Sequence, residues 1–511
     1  MNDQQMPQFP EPFWRESVQL PEYPKLEETI QTDVGIVGGG ITGITAAYLL
    51  AKENIKVTLL DAGVLLNGTT GHTTAKITAQ HGLIYDEFIQ HFGLEKASQY
   101  YKATTEAKEF IESTINNYKI DCDYSKEDAY VFTNSDQYLS QLETESKAYD
   151  QLEIDGEIRD DIPLDLKVKS ALVMKNQAQF HPLKYLKTLV KEAEKNGVQI
   201  FENTTAVDVE YYKHPAIITR DGHRVKCKYV IAASHFPFYD RQSFYFARMY
   251  QDRSYVLGIK TKQTFPGGMY INAEDPTRSI RATKMNGEDL WLIGGEHHKT
   301  GQGKTTIEHY NALKDFAEAK FDVTEIPFRW SAQDLTTLDK LPYIGPATEH
   351  EESVFVATGF RKWGMTNGTI AAKIISDKIV KGENEYEELY SPQRFQADPA
   401  LRKFTSINAD VAKHMVKGKL EFTHNSIKGL SPDDATVTRI NGKRTGVYKD
   451  KEEKLYALDT TCTHMGCEVE WNSGDRTWDC PCHGSRFSYT GEVVEGPAKR
   501  PLPKIVLKET K

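Results

Sequence analysis

The first strongly apolar stretch, Asp33-Val-Gly-Ile-Val, runs into Gly38-Gly39-Gly40. A short uninterrupted apolar run bounded by glycine predicts a buried parallel strand. Ile44 to Lys52 then follows a helical period, and Lys56–Asp61 reads as a second buried strand. Strand, helix and strand within about 30 residues make one βαβ unit. Further on, charged helical patterns cover Leu94–Tyr118, Asp136–Leu152 and Pro182–Asn196. From residue 198 to residue 300 the pattern turns to strands: Val198–Glu202, Ala206–Tyr212, Ala216–Thr219, Tyr229–Ala233, Ser254–Lys260 and Leu290–Gly294. These alternating blocks predict a Rossmann-like α/β nucleotide-binding domain with a parallel sheet. An antiparallel α+β substrate domain is inserted into it, so that each is discontinuous.

Both ends of this region change character. Pro7, Pro10, Pro12, Pro21 and Pro24 break any long helix, so residues 1–32 read as an irregular lead-in. Residues 33–385 form the two-part domain. The segment 386–424 is charged, polar and proline-containing, a linker in which Ile407–Gly418 forms a helix. Short strands with turns at Asn441-Gly442, Asn472-Ser473-Gly474 and Thr490-Gly491 predict a separate all-β domain over 425–511.

Composition narrows the function. A net charge of -10 over 511 residues argues against nucleic-acid binding, which needs a basic face. With 39% hydrophobic residues the chain can build large cores. Six cysteines do not make a secreted disulfide scaffold. The start of the chain lacks the basic and apolar regions of a signal peptide. The most apolar stretch, Val34–Ala51, is interrupted by glycines and is no membrane span. The expectation is a cytoplasmic protein without a transmembrane segment.

Gly38-Gly-Gly40-Ile-Thr-Gly43 matches G-x-G-x-x-G. Such glycines permit a tight turn, let backbone approach a pyrophosphate, and aim a helix N-terminus at its charge. Asp61 closes the second strand about 20 residues on, where an acid accepts ribose hydroxyls. The motif leaves FAD and a nicotinamide cofactor both open. Three segments then carry a resemblance: Asp33–Gly63, Trp330-Ser-Ala-Gln-Asp-Leu-Thr-Thr-Leu-Asp339-Lys-Leu-Pro342-Tyr-Ile-Gly345-Pro346, and Val354-Phe-Val-Ala-Thr-Gly359-Phe360-Arg-Lys-Trp-Gly364-Met365-Thr. Together they resemble the D-amino-acid oxidase superfamily, which includes glycine and sarcosine oxidases, over roughly residues 30–385.

That resemblance implies FAD. It implies that Gly359, Phe360, Gly364 and Met365 return to the flavin and that Thr73 and Thr74, within Gly68–Lys76, lie beside its ring. It also implies that the Val207 backbone meets the adenine, although a core valine reads equally well. His72 and Lys76 are candidates for orienting the flavin or neutralising its reduced charge, against an ordinary threonine-rich loop. Arg361 or Lys362 is a candidate for holding a substrate carboxylate, against solvated surface charge.

The densest chemistry lies further on. Cys462-Thr-His464-Met-Gly-Cys467 and Cys480-Pro-Cys482-His483-Gly-Ser485 hold four of the six cysteines and two histidines. That density means a metal site. Two thiolates and two imidazoles suit a zinc tetrahedron, which leaves two cysteines unexplained, or a Rieske [2Fe–2S] centre. The two loops resemble those of the Rieske proteins of cytochrome bc complexes, over about residues 425–508. The resemblance implies Cys462 and Cys480 on one iron, His464 and His483 on the other, and a disulfide between Cys467 and Cys482. It also makes Gly496-Pro497-Ala498 a loop covering the cluster. A disulfide is unusual in the cytoplasm, but a buried one exchanges slowly. High-potential relatives carry tyrosine where this chain has Phe487, which implies a lower potential here.

A flavin takes two electrons at once and a Rieske centre moves one. The combination predicts oxidation of an amine or amino acid, with electrons leaving singly through the cluster to an external carrier. The alternative is a reductase, or a redox relay or sensor, in which the cluster feeds the flavin. No 2-His-1-carboxylate constellation outside the cluster loops points to an iron oxygenase.

Overall fold

The computed structural model describes residues 6–507, apart from 212, 241, 242, 395, 396 and 421–425. Tyr212, at the end of one expected strand, and the expected 424/425 domain boundary lie outside the described residues.

The nucleotide-binding part is built on a six-stranded sheet, in the order Tyr343–Pro346, Val354–Thr358, Tyr229–Ala232, Val34–Val37, Val57–Leu60, Gln199–Phe201. All pairings are parallel except the one at the Tyr343–Pro346 edge. Val34–Val37 and Val57–Leu60 are buried throughout, because both faces of this sheet are covered. Helices Ile41–Lys52, Pro182–Lys195 and Gly364–Lys381 pack together in the core built on it. A small sheet of Ile30–Gln31, Arg224–Lys226, Pro215–Thr219 and Ala206–Tyr211 supplies a second core, through Val209, Ile217 and Val225 against Val37 and Leu60.

The inserted part is a nine-stranded sheet dominated by Val323–Thr337, Met249–Thr261 and Glu288–Lys299. It is antiparallel apart from Met269–Asn272 beside Ser125–Thr133. Helix Thr306–Lys320 covers one of its faces, burying Tyr310, Leu313 and Ala317 against Tyr255, Leu257 and Ile293. The other face carries Val256 and Trp330, which join the main core.

The lead-in is mostly irregular, with one turn of helix at Phe13–Glu16 that buries Trp14 completely. The linker helix spans Ala397–Leu420, starting ten residues before the expected one. Pro399 falls in its first turn, where a missing N–H leaves no helical bond unmade. Beyond it lie a three-stranded sheet (Asp434–Ile440, Lys443–Lys449, Leu455–Asp459) and a four-stranded sheet (Glu470–Asn472, Thr477–Asp479, Arg486–Ser488, Val493–Glu495), both antiparallel. Among the described residues no helix is long and apolar enough to cross a membrane.

An ionic lattice joins the C-terminal sheets to the nine-stranded sheet. The Arg253 guanidinium, on the inserted sheet, lies 3.0 Å from Glu495, 3.5 Å from Asp475 and 4.0 Å from Asp479. Arg486 meets the same three carboxylates from within the C-terminal part, at 2.9–3.2 Å. The lead-in spans the junction: the Gln8 carbonyl accepts from both Arg329 and Arg476.

Candidate cofactor sites

Three glycines shape the first site. Gly38 has φ of +112°, and a Cβ there would lie 2.4 Å from the Ala233 carbonyl oxygen. A Cβ on Gly43 would lie 1.9 Å from the Gly38 oxygen, so only glycine lets the helix start this close to the strand. Gly40 caps helix Ile41–Lys52, whose first N–H, from Ile41, donates to Thr70 Oγ1 at 3.1 Å. Asp61 is held in place by two backbone donors, Gly39 N–H and Gly63 N–H, each at 2.8 Å. Burial pushes its carboxyl above the usual range, against those two bonds. Gly368, in helix Gly364–Lys381, fits against Ile41 and Thr42, so the N-terminal turns of both helices meet at this point. Val207 is the extra residue of a β-bulge, and its carbonyl accepts from Lys499 Nζ at 2.7 Å.

The Gly68–Lys76 loop is fixed by buried donors. Trp14 Nε1 donates to the Thr73 carbonyl at 2.7 Å and Trp330 Nε1 to the His72 carbonyl at 2.9 Å. Arg281 Nη1 donates to the Ala75 carbonyl at 2.8 Å. His72 Nδ1 donates to Gly68 O at 2.9 Å, and burial lowers its pKa. Lys76 Nζ donates to Ser279 Oγ at 2.7 Å; burial, helped by Arg281, brings it down to about 7. Thr73 Oγ1 accepts from Ala75 N–H, while the Thr74 methyl lies beside Gly294.

Opposite this loop, Gly359 has φ of +77° and packs under Thr337. Phe360 bridges to Thr336, and Arg361 N–H donates to Leu335 O at 2.9 Å, so Gly359–Met365 is stitched to strand Val323–Thr337. Arg361 and Lys362 both adopt φ of +57°, an arrangement that non-glycine residues seldom take. Arg361 Nη2 is spent on the His81 carbonyl at 2.9 Å, and Trp363 stacks on the His81 ring. Lys362 is exposed as a residue, and desolvation of its ammonium lowers its pKa.

In the second site, the two loops bring two thiols and two imidazoles together. Cys462 and Cys480 are buried, and a hydrogen bond between their thiols lowers Cys462 to about 7. The His464 and His483 rings stand perpendicular, centroids 5.0 Å apart, and the Nδ1 atom of each is buried without a partner. Burial holds both imidazoles neutral, down to about 4 and about 3 respectively. Cys467 and Cys482 form a disulfide between the loops. Ser485 Oγ accepts from Ala498 N–H at 3.0 Å, which brings the Gly496–Ala498 loop over the site. Phe487 is fully buried among Cys462, Cys480 and Ala498. Phe487→Tyr should therefore raise the midpoint potential by tens of millivolts. A hydroxyl bonding a charged sulfur contributes about 1.5 kcal/mol, and ~1.4 kcal/mol is about 59 mV for one electron. Voltammetry of the variant decides; an unchanged potential would mean that the hydroxyl finds no sulfur.

Sequence reasoning did not find the residues joining the two sites. Gln251 Nε2 donates to Cys482 O at 3.3 Å and Gln333 Nε2 to Gly484 O at 3.0 Å. Gly484 has φ of +75°, and a Cβ there would lie 2.6 Å from Gln251 Cγ. The Phe246 ring meets both imidazoles edge-on, at 5.9 Å for His464 and 5.4 Å for His483. Thr69 Oγ1, in the first site's loop, donates to Gln333 O at 3.3 Å. Nothing in the spacing of Phe246, Gln251 or Gln333 marks them, because their partners lie far along the chain.

Known proteins give this geometry its context. Residues 33–378 match the FAD dependent oxidoreductase (DAO) family, and residues 423–506 match the Rieske [2Fe-2S] domain. The chain is 50% identical over 498 residues, covering 98% of each sequence, to the Rieske 2Fe-2S iron-sulfur protein YhfW of Bacillus subtilis (strain 168). It is 24% identical over 381 residues to gamma-glutamylputrescine oxidoreductase of Escherichia coli (strain K12), covering 70% of this chain and 86% of that one. Its fold aligns with glycine oxidase from Geobacillus kaustophilus at a TM-score of 0.61 and 16% identity, over 72% of this chain and 100% of that one. The chain thus belongs to the DAO family of FAD-dependent oxidoreductases, and with its C-terminal Rieske domain it is an enzyme that uses FAD and a [2Fe–2S] cluster.

Proposed function

We propose that the enzyme oxidises an amine or amino acid and passes the electrons one at a time to an external carrier. One observation carries this reading: the loops of the cysteine–histidine site are docked on the same strands that hold the first site's loops. Gln333 alone bonds Gly484 on one side and Thr69 on the other. The gamma-glutamylputrescine oxidoreductase relative supports an amine substrate.

The residues fit both groups. Gly38, Gly40 and Gly43 leave a cradle that any Cβ would fill, with Asp61 beside it for the ribose. Thr73, Thr74, Gly359, Phe360, Gly364 and Met365 would line the flavin ring, and Val207 would offer its backbone to the adenine. Cys462 and Cys480 would hold one iron, and His464 and His483 the other; the unpartnered Nδ1 atoms are the donors such an iron needs. When bound, FAD supplies hydride acceptance and the cluster single-electron transfer. The protein's own part is to hold: Trp14, Trp330 and Arg281 fix the Gly68–Lys76 loop through its carbonyls. The same reading divides the chain into 1–32, 33–385, 386–424 and 425–511 and places it in the cytoplasm, where burial of the Cys467–Cys482 bridge slows exchange.

Anaerobic titration of the holoenzyme with a panel of amines and amino acids tests it. Bleaching of the flavin followed by reduction of the cluster is expected. Silence across the panel, with both centres reduced by an external ferredoxin or NAD(P)H system, would reverse the direction of flow.

A further inference from the structure

Asp252 and Asp334 are directly opposed on neighbouring antiparallel strands. Along strand Val323–Thr337 side chains alternate, so Asp334 shares its face with Trp330 and Thr336. Trp330 donates to the His72 carbonyl and Thr336 bridges to Phe360. The two aspartates therefore stand between the two loops that line the first site. Both keep accessible surface, and among the described residues neither carboxylate makes a hydrogen bond or an ion pair. Like charges directly opposite on a sheet are destabilising, so this pair needs a counter-charge.

Among the described residues, Lys362 is the cation near the pair that makes no hydrogen bond or ion pair. Lys362 lies within electrostatic range of Asp334 and Asp252, while Arg361 is tied to the His81 carbonyl. His297, also in range of Lys362 and Asp252, stays neutral because burial lowers its pKa, and its Nδ1 is buried without a partner. Asp275 also lies within electrostatic range of Lys362 and His297, so acidic groups outnumber the Lys362 ammonium here. Burial above all, with Asp252 adding to it, pushes Asp334 up to about 7 against the pull of Lys362 and Arg253. A substrate carboxylate entering here would add to that excess of negative charge; a substrate ammonium would offset it.

We infer that Asp252 and Asp334 bind a substrate ammonium group, and that the substrate is an amine, such as a diamine, without a carboxylate on the carbon that bears its nitrogen. This rests on the amine-oxidising reading above and narrows it. The test uses holoenzyme and matched pairs that differ by one carboxylate: ethylamine against alanine, and 1,4-diaminobutane against ornithine. Dissociation constants come from calorimetry and from perturbation of the flavin spectrum. Each amine should bind about tenfold or more tightly than its amino-acid partner, the scale of one hydrogen-bonded charge. Asp334→Asn and Asp252→Asn should each weaken 1,4-diaminobutane by a similar factor, while Lys362→Met should strengthen it. Should either asparagine variant fail to fold, the matched pairs and Lys362→Met still decide. Tighter binding of the amino acids, or wild-type affinity in the asparagine variants, would overturn the inference. Amines that bind through the aspartates without bleaching the flavin would instead defeat the oxidation reading and leave this one standing.

Discussion

Arg253→Met should lower the unfolding temperature by several degrees and release the C-terminal domain to limited proteolysis at the 386–424 segment. Arg253 is 0% exposed and donates to Ser331 Oγ at 2.7 Å and to Glu495 at 3.0 Å. Without it, Arg486 is the one cation paired with all of Glu495, Asp475 and Asp479 among the described residues. Stranding buried carboxylates in this way costs about 3–5 kcal/mol, more than a surface pair ever contributes. Arg253→Lys should rescue only partly, because a point charge cannot span the serine and the carboxylates together. The same lattice sets an acid limit. Burial would raise Glu495, but Arg486 and Arg253 outweigh it and hold the carboxyl down to about 2, from an ordinary 4.5. A carboxylate depressed in the folded state stabilises fully above its unfolded pKa and loses that contribution as pH falls through the folded one. Wild-type docking should thus weaken between about pH 4.5 and 2, and Arg253→Met should move that transition upward. Calorimetry against pH measures both effects; an unchanged transition would mean that the lattice is energetically neutral.

Cys480→Ser should reduce iron from about two per chain to near zero while leaving FAD bound. A serine hydroxyl cannot replace a thiolate ligand, and the site offers no spare sulfur: Cys467 and Cys482 are joined to each other. Nor does the change reach the glycine cradle. Because the buried Nδ1 atoms of His464 and His483 have no protein partner, the metal-free fold carries two unsatisfied donors. Metal affinity is then folding energy, so the variant should also unfold earlier than the holoenzyme. Iron and acid-labile sulfide assays beside flavin absorbance read the outcome. Wild-type iron in Cys480→Ser would mean that the ligand set is misassigned.

Much of this was legible in the chain. The two strands of the βαβ unit, helix Leu94–Tyr118 and the strands Gln199–Phe201, Ala206–Tyr211, Pro215–Thr219 and Tyr229–Ala232 carry their own periodicity and lie within a residue of the expected ones; the helix between the first two strands starts three residues earlier, at Ile41, and strand Arg224–Lys226 was not expected. The cysteine–histidine loops announce themselves by density, and the pairing of Cys467 with Cys482 followed from resemblance. Among the helices of residues 95–195 short strands are expected but cannot be placed, because the buried runs of Ser125–Thr133 and Ser170–Gln179 do not alternate and resemble helix segments of similar length. Strand Val323–Thr337 was read only as a motif around Trp330. Arg253, Asp252 and Asp334 were invisible for another reason. Their meaning lies in cross-strand and cross-domain neighbours, and a charge viewed alone in sequence looks like solvated surface.

The place of Gln8 at the domain junction bears on how the protein is handled at the bench. Its carbonyl meets Arg329 and Arg476, its amide nitrogen donates to Asp433 at 2.9 Å, and its amide oxygen accepts from Lys451. A purification tag or fluorescent fusion that displaces this residue would loosen the packing of the C-terminal sheets on the nine-stranded sheet. On the electron-transfer reading proposed above, slow transfer measured on such material would then report the label rather than the enzyme.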